Sequence, residues 1–184
     1  MTGHARSSGY EKVPHEWYCE PRAAVDALLD VEAFDGIVFD PACGSGNIPL
    51  ACIARGLAAG GSDIVDRGYG AVMDFLSPDD FPADRRIANV LTNPPFGLAE
   101  KFIARAVTFA TSKIVMFGRL AFLEGQRRRQ LFLSTPFARV WVCSSRVSMP
   151  PGGTSVPASG GSVAYAWFVW QHGHIGLPTL GWLP

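Results

Sequence analysis

The run Asp40-Pro-Ala-Cys-Gly-Ser-Gly46 constrains the fold of this chain more than any other segment. It follows the apolar triplet Ile37-Val-Phe39 and opens a helical stretch over residues 47–55, with Gly56 as its stop. A buried strand, a glycine turn and a helix in immediate succession make the first half of a β-α-β unit. Such units build parallel sheets covered on both faces.

The rest of the sequence continues the pattern. Ala24, Val25, Leu28 and Leu29 recur at helical spacing, and further helices are expected over residues 98–110 and 126–133. Strands are expected at 37–39, 57–62, 71–73, 87–92, 113–117, 139–143 and 163–170. The last two lack a helix-length linker, so they are expected to pair antiparallel. The reading is an α/β fold with a mostly parallel seven-stranded sheet, helices on both faces and an antiparallel final pair. Residues 1–14 are polar and aperiodic and read as a flexible arm, leaving 15–184 as a single domain. The Gly/Pro-rich stretch 149–161 reads as a loop projecting from a sheet edge, and the apolar tail 178–184 as packing on the domain.

Composition narrows the function classes. The formal net charge is zero, which argues against binding nucleic acid by bulk electrostatics alone, although Arg85-Arg86 and Arg127-Arg128-Arg129 are local basic clusters. Three successive arginines on a helix cannot share one face. Cys19, Cys43, Cys52 and Cys143 form no CxxC pair and no zinc spacing, so they read as reduced thiols of a cytoplasmic protein, with no metal site. His172 and His174 beside Gly173 read as a turn. No signal peptide is expected at the polar N-terminus, and no apolar run is long enough to span a bilayer.

The glycine turn offers free backbone N–H groups at the carboxyl end of a strand. Gly44 and Gly46 can take positive φ and admit close approach of a ligand. The third glycine of a dinucleotide fingerprint is missing, and residues 47–50 hold no phosphate-binding Lys. The turn therefore suits a nucleoside without a pyrophosphate. Asp63, at the end of the next strand, stands where an acidic residue meets ribose hydroxyls. Asp74-Phe75, after the third strand, is placed to accept from an adenine amine and to cover its ring.

The second chemical motif is Asn93-Pro-Pro-Phe96, which breaks the fourth strand. An exocyclic amine is a poor nucleophile because its lone pair is conjugated into the ring. Acceptors placed off the ring plane favour a more tetrahedral nitrogen and free that lone pair for attack on a sulfonium methyl. The Asn93 side-chain oxygen and the Pro94 carbonyl are two such acceptors, and Pro94 and Pro95 stiffen the turn that carries them. Phe96 is expected to stack on the base, a contact worth about 1–3 kcal/mol. No strong general base is required, so the gain would come from positioning and fixed dipoles.

With both motifs in this order, residues 17–170 resemble a class I S-adenosylmethionine-dependent amino-methyltransferase, and most closely the adenine-N6 DNA methyltransferases of the compact phage or prophage type. The resemblance implies a Rossmann-like methyltransferase fold with S-adenosylmethionine as cofactor and DNA as substrate. It implies cofactor contacts from Trp17, Tyr18 and Pro21 of an aromatic-x-x-Pro segment, from Asp40, Pro41, Ala42, Cys43, Gly44, Gly46 and Asn47 of the glycine motif, and from Asp63, Ile64, Asp74 and Phe75. It assigns catalysis to Asn93, Pro94, Pro95 and Phe96. The chain lacks the length for a separate target-recognition domain, so readout of a sequence implies a short site, an accessory partner or a second protomer. The tetrapeptide also occurs in enzymes that methylate guanine N2 in RNA, and with Tyr last in enzymes that methylate protein glutamine. Those substrates, and a non-catalytic cofactor-binding subunit, remain alternatives.

Overall fold

A computed structural model describes residues 16–82, 84–155, 161 and 163–184. The arm expected over residues 1–14 and the core of the loop at 156–160 lie outside the described residues.

The elements run α1 (Arg22–Val31), β1 (Val38–Asp40), α2 (Asn47–Ala54), β2 (Ala59–Asp63), β3 (Ala71–Val72), β4 (Ile87–Thr92), α3 (Ala99–Phe109), β5 (Ala110–Arg119), α4 (Gln126–Ser134), β6 (Phe137–Cys143), β7 (Tyr165–Gln171) and β8 (Thr179–Leu183). One eight-stranded sheet has the order β3-β2-β1-β4-β5-β7-β6-β8. The run β3-β2-β1-β4-β5 is parallel throughout, and β7 is antiparallel to both β5 and β6. The expected antiparallel pair is present, inserted so that β7 lies between β5 and β6.

One expectation is corrected. The sheet has eight strands, because the segment read as an apolar tail forms β8, parallel to β6 and on the sheet edge. Leu183 of β8 is buried while Trp182 remains exposed. The stretch from residue 149 is also not simply a projecting loop. Val147 and Met149 belong to the core, and Pro151 bridges to Tyr18.

Strand periodicity divides the core between the two faces. Val115, Phe117, Trp167 and Val169 face α1 and α2, while Ile114, Met116, Phe168 and Trp170 face α3 and α4. Buried tryptophans need a partner for their N–H. Trp167 donates to the Ala24 carbonyl at 3.0 Å and Trp170 to the Thr135 hydroxyl at 2.9 Å, which pins α1 and the end of α4 to the sheet. The parallel strands end together at one edge, and the crevice beyond their carboxyl ends is where open α/β sheets bind ligands. No helix among the described residues is long and apolar enough to cross a membrane.

Candidate active site

A cavity of about 340 Å³ opens at that edge, within the range of about 300–1,000 Å³ usual for small-molecule sites. Its wall brings together the turn after β1, the ends of β2 and β3, the turn after β4 and the segment before α1. Of the residues expected at the site, Trp17, Tyr18, Pro41, Ala42, Cys43, Gly44, Asn47, Asp63, Ile64, Asp74, Phe75, Asn93 and Pro95 line it. Pro21, Asp40, Gly46, Pro94 and Phe96 do not line it.

Gly44 and Gly46 have φ of 53° and 91°, as a turn of this shape requires. Two aromatic side chains also approach the backbone of this turn closely. A Cβ on Gly44 would lie 2.7 Å from the Trp17 indole nitrogen, and one on Gly46 would lie 2.5 Å from the Tyr69 ring. Asp40 is buried behind the turn, where its Oδ1 accepts the Ala42 N–H at 3.0 Å. Burial holds its carboxyl well above the usual range. Burial likewise pushes the Cys43 thiol up to about 12, so it stays protonated at neutral pH.

Asp63 joins the turn to β2. Its Oδ2 accepts the Gly44 N–H at 3.0 Å, and its Oδ1 accepts from the Val65 N–H at 3.0 Å and Arg67 Nε at 3.4 Å. The Arg67 guanidinium then lies 4.2 Å over the Trp17 ring. Asp74 accepts the Leu76 N–H at 2.9 Å through Oδ1. Phe75 is 1 % exposed and packs edge-on against Phe81 and Phe109, so it is a core residue that also floors the cavity.

Asn93 hangs from the end of β4. Its Nδ2 donates to the Tyr18 carbonyl at 2.9 Å and to Glu20 Oε2 at 2.8 Å. Both N–H groups of the amide are thereby used, and the amide oxygen is the group left to meet a ligand. A flipped amide would set that oxygen against two acceptors. Phe96 is not among the residues that line the cavity. Its ring lies 6.3 Å from the Tyr165 ring, with the Arg119 guanidinium 5.1 Å above it.

The segment 16–20 holds these parts together. Glu16 accepts the Gly97 N–H at 3.2 Å, Trp17 covers Gly44, and the Glu20 carbonyl accepts from Asn47 at 3.3 Å. The Cys19 N–H donates to the Pro150 carbonyl and the Gly152 N–H to the Trp17 carbonyl, both at 3.0 Å. Glycine turn, Asn93 turn and the loop after β6 thus meet on one strap. Sequence reasoning missed Glu16, Cys19, Glu20 and Arg67 on the wall. Glu20 is 7 % exposed, and burial pushes its carboxyl up to about 7. Only its place beside Pro21 in the aromatic-x-x-Pro segment could have pointed to it. Among the described residues no cluster of His, Cys, Asp or Glu could hold a metal ion.

The fold is that of the Rossmann-like methyltransferases. A modification subunit assigned to a type I restriction enzyme of Vibrio vulnificus YJ016 superposes with a TM-score of 0.59 at 15% identity, over 88% of this chain and 45% of that one. A chain assigned as an RNA methyltransferase of Pyrococcus horikoshii gives 0.65 at 15% identity, over 91% of this chain and 92% of that one. The magnesium protoporphyrin IX methyltransferase of Synechocystis PCC 6803, solved with bound S-adenosylmethionine, gives 0.51 at 13% identity, over 82% of this chain and 78% of that one. This chain therefore spans less than half of the restriction subunit's length. No protein-family model and no curated protein matches the sequence.

Proposed function

We propose that this protein transfers a methyl group from S-adenosylmethionine to the exocyclic N6 amine of adenine in DNA. The observation that carries the reading is the placement of Asn93: its amide oxygen is left for a ligand on the wall of the same cavity that the glycine turn lines. The cavity fits the cofactor in size and chemistry. The turn itself carries no Lys or Arg, and Arg67 on the wall is paired with Asp63; the carboxylates of Asp63 and Asp74 stand at successive strand ends, and Trp17 covers the turn. Asp63 would hold ribose hydroxyls and Asp74 the adenine amine, with Tyr18, Ala42 and Asn47 completing the pocket. When bound, S-adenosylmethionine supplies a methyl carried on a sulfonium, which passes to the amine while the electron pair of the broken carbon–sulfur bond stays on sulfur.

The chain's own residues prepare the amine. Asn93 accepts one amine N–H through its side-chain oxygen, and the Pro94 carbonyl accepts the other. The methylated nitrogen is strongly acidic, so its surplus proton passes to water without a side-chain base. Phe96 stacks on the base once the base enters between it and Arg119. DNA as the polymer is supported by the Asp-Pro-Ala-Cys-Gly-Ser-Gly form of the turn and by basic residues beside the Asn93 turn. Arg119 lies over Phe96, and Arg127 pairs with Glu100 on the following helix while staying largely exposed. A duplex would have its target base flipped out to reach the cavity.

The likeness in size to an RNA methyltransferase keeps a second reading, transfer to guanine N2 of RNA by the same acceptors. Incubation with labelled cofactor and either plasmid DNA, single-stranded DNA or ribosomal RNA, followed by digestion to nucleosides, decides between them. N6-methyladenine from DNA is the expected product. Its absence from both forms of DNA sinks the first reading, and N2-methylguanine from RNA establishes the second.

A further inference from the structure

We propose that Glu20 is a positioning residue of this site: its buried carboxylate takes one N–H of Asn93 and so turns the Asn93 amide oxygen toward the acceptor nitrogen. The proposal rests on the reading of the site as an amino-methyltransferase and adds a residue to which that reading gives no role.

Three observations carry it. First, Glu20 Oε2 lies 2.8 Å from Asn93 Nδ2, and the other N–H of that nitrogen goes to the Tyr18 carbonyl at 2.9 Å. An amide held by two acceptors on its nitrogen has one stable orientation, with the oxygen presented away from them. The Tyr18 carbonyl alone would leave the amide hinged on a single bond. Second, Glu20 is 7 % exposed, yet no Lys, Arg or His forms an ion pair with it among the described residues. A buried carboxylate without a cation is costly, and for stability alone an apolar side chain would serve better. Third, Glu20 and Asn93 line one cavity, and the Glu20 carbonyl receives the Asn47 side chain at the opening of α2. Glu20 is therefore tied by its main chain to the opening of α2 and by its carboxylate to the Asn93 turn.

Positioning predicts a separation of effects. Glu20→Ala frees the amide, and turnover falls about 10²-fold, the scale of a misplaced reacting group. Binding of S-adenosylhomocysteine, followed by calorimetry, stays within about threefold, well below the 1.4 kcal/mol that marks a tenfold change. Glu20→Gln keeps an oxygen that accepts from Asn93, so it restores most of the turnover. A residue that merely supports the fold would lower melting temperature, binding and turnover together, and Gln would not rescue the last alone.

A second readout needs no substrate. In ¹⁵N-labelled protein, the Asn93 side-chain NH₂ signals, assigned by their absence in Asn93→Ala, are expected to be protected from water exchange in the wild type and in Glu20→Gln. They are expected to lose that protection in Glu20→Ala. Unchanged exchange in Glu20→Ala, or equal loss of S-adenosylhomocysteine binding in both variants, overturns the positioning role. If the wild type methylates neither DNA, RNA nor a glutamine peptide, the functional reading fails, and the exchange measurement still decides whether Glu20 orients Asn93.

Discussion

The indole of Trp17 lies so close over Gly44 that a Cβ on the glycine would stand 2.7 Å from the indole nitrogen. The glycine motif is thus shaped for the strap that covers it as much as for a ligand. Gly44→Ala adds the cost of a side chain at φ 53°, about 1–2 kcal/mol, and pushes Trp17 off the turn. The expected result is a melting temperature lower by about 2–8 °C and roughly tenfold weaker S-adenosylhomocysteine binding. Differential scanning fluorimetry and calorimetry check the two effects.

Asp63 couples stability to binding. Its two oxygens accept the N–H groups of Gly44 and Val65, and an asparagine has only one oxygen to offer. Asp63→Asn leaves one of those buried donors facing another donor, at a cost of about 1–3 kcal/mol. Urea unfolding should show this loss without any ligand present, and calorimetry should show weakened cofactor binding as well. A loss of binding with unchanged stability would mean that Asp63 serves the ligand alone.

The carboxyl of Glu20, raised by burial from 4.5 to about 7, sets the sign of a pH dependence. Between those values the folded chain keeps the proton and the unfolded chain releases it. Stability is therefore greatest below pH 4.5 as far as this group is concerned, and declines as pH rises through about 7. The full contribution is about 3 kcal/mol. Asp40, also raised by burial, acts in the same direction. Urea midpoints measured from pH 4.5 to 8 should fall more steeply in the wild type than in Glu20→Gln, which cannot titrate.

At the opposite edge of the sheet, the Glu32 carboxylate accepts from three side chains, Arg139 donating through two nitrogens. Lys113 Nζ lies at 2.8 Å, Trp141 Nε1 at 2.9 Å and an Arg139 guanidinium nitrogen at 3.0 Å. These hydrogen bonds draw its carboxyl below the usual value against the effect of burial. Glu32→Ala strands two cations near the core and should cost about 3–5 kcal/mol. S-adenosylhomocysteine affinity, measured well below the melting temperature, should stay unchanged, because none of these groups lines the cavity.

The parts of this molecule legible in the sequence are those written locally. Strand, glycine turn and helix around Asp40–Gly46 can be read because hydrophobic run, φ-permissive residues and helical spacing are consecutive. The eighth strand could not be read this way. Gly181 interrupts its apolar alternation, and the reason is non-local: a Cβ there would stand 2.2 Å from the Trp141 ring on the neighbouring strand. The surroundings of Phe96 could not be read either, because its neighbours Tyr165 and Arg119 come from distant strands. Glu20 escaped because a lone carboxylate has no spacing to reveal it, and its partner Asn93 is 73 positions away.

The bridge between Tyr18 and Pro151 has a consequence in time. During synthesis the strap emerges early, but the residues it pairs with emerge only after β6 has been made. Until then Trp17 has no Gly152 to donate to its carbonyl and Cys19 has no Pro150 carbonyl to donate to, so the strap that lines the cavity is not yet held down. A small ligand that stabilises this protein by mass action therefore acts on finished chains, and gives no protection to a nascent one still attached to the ribosome.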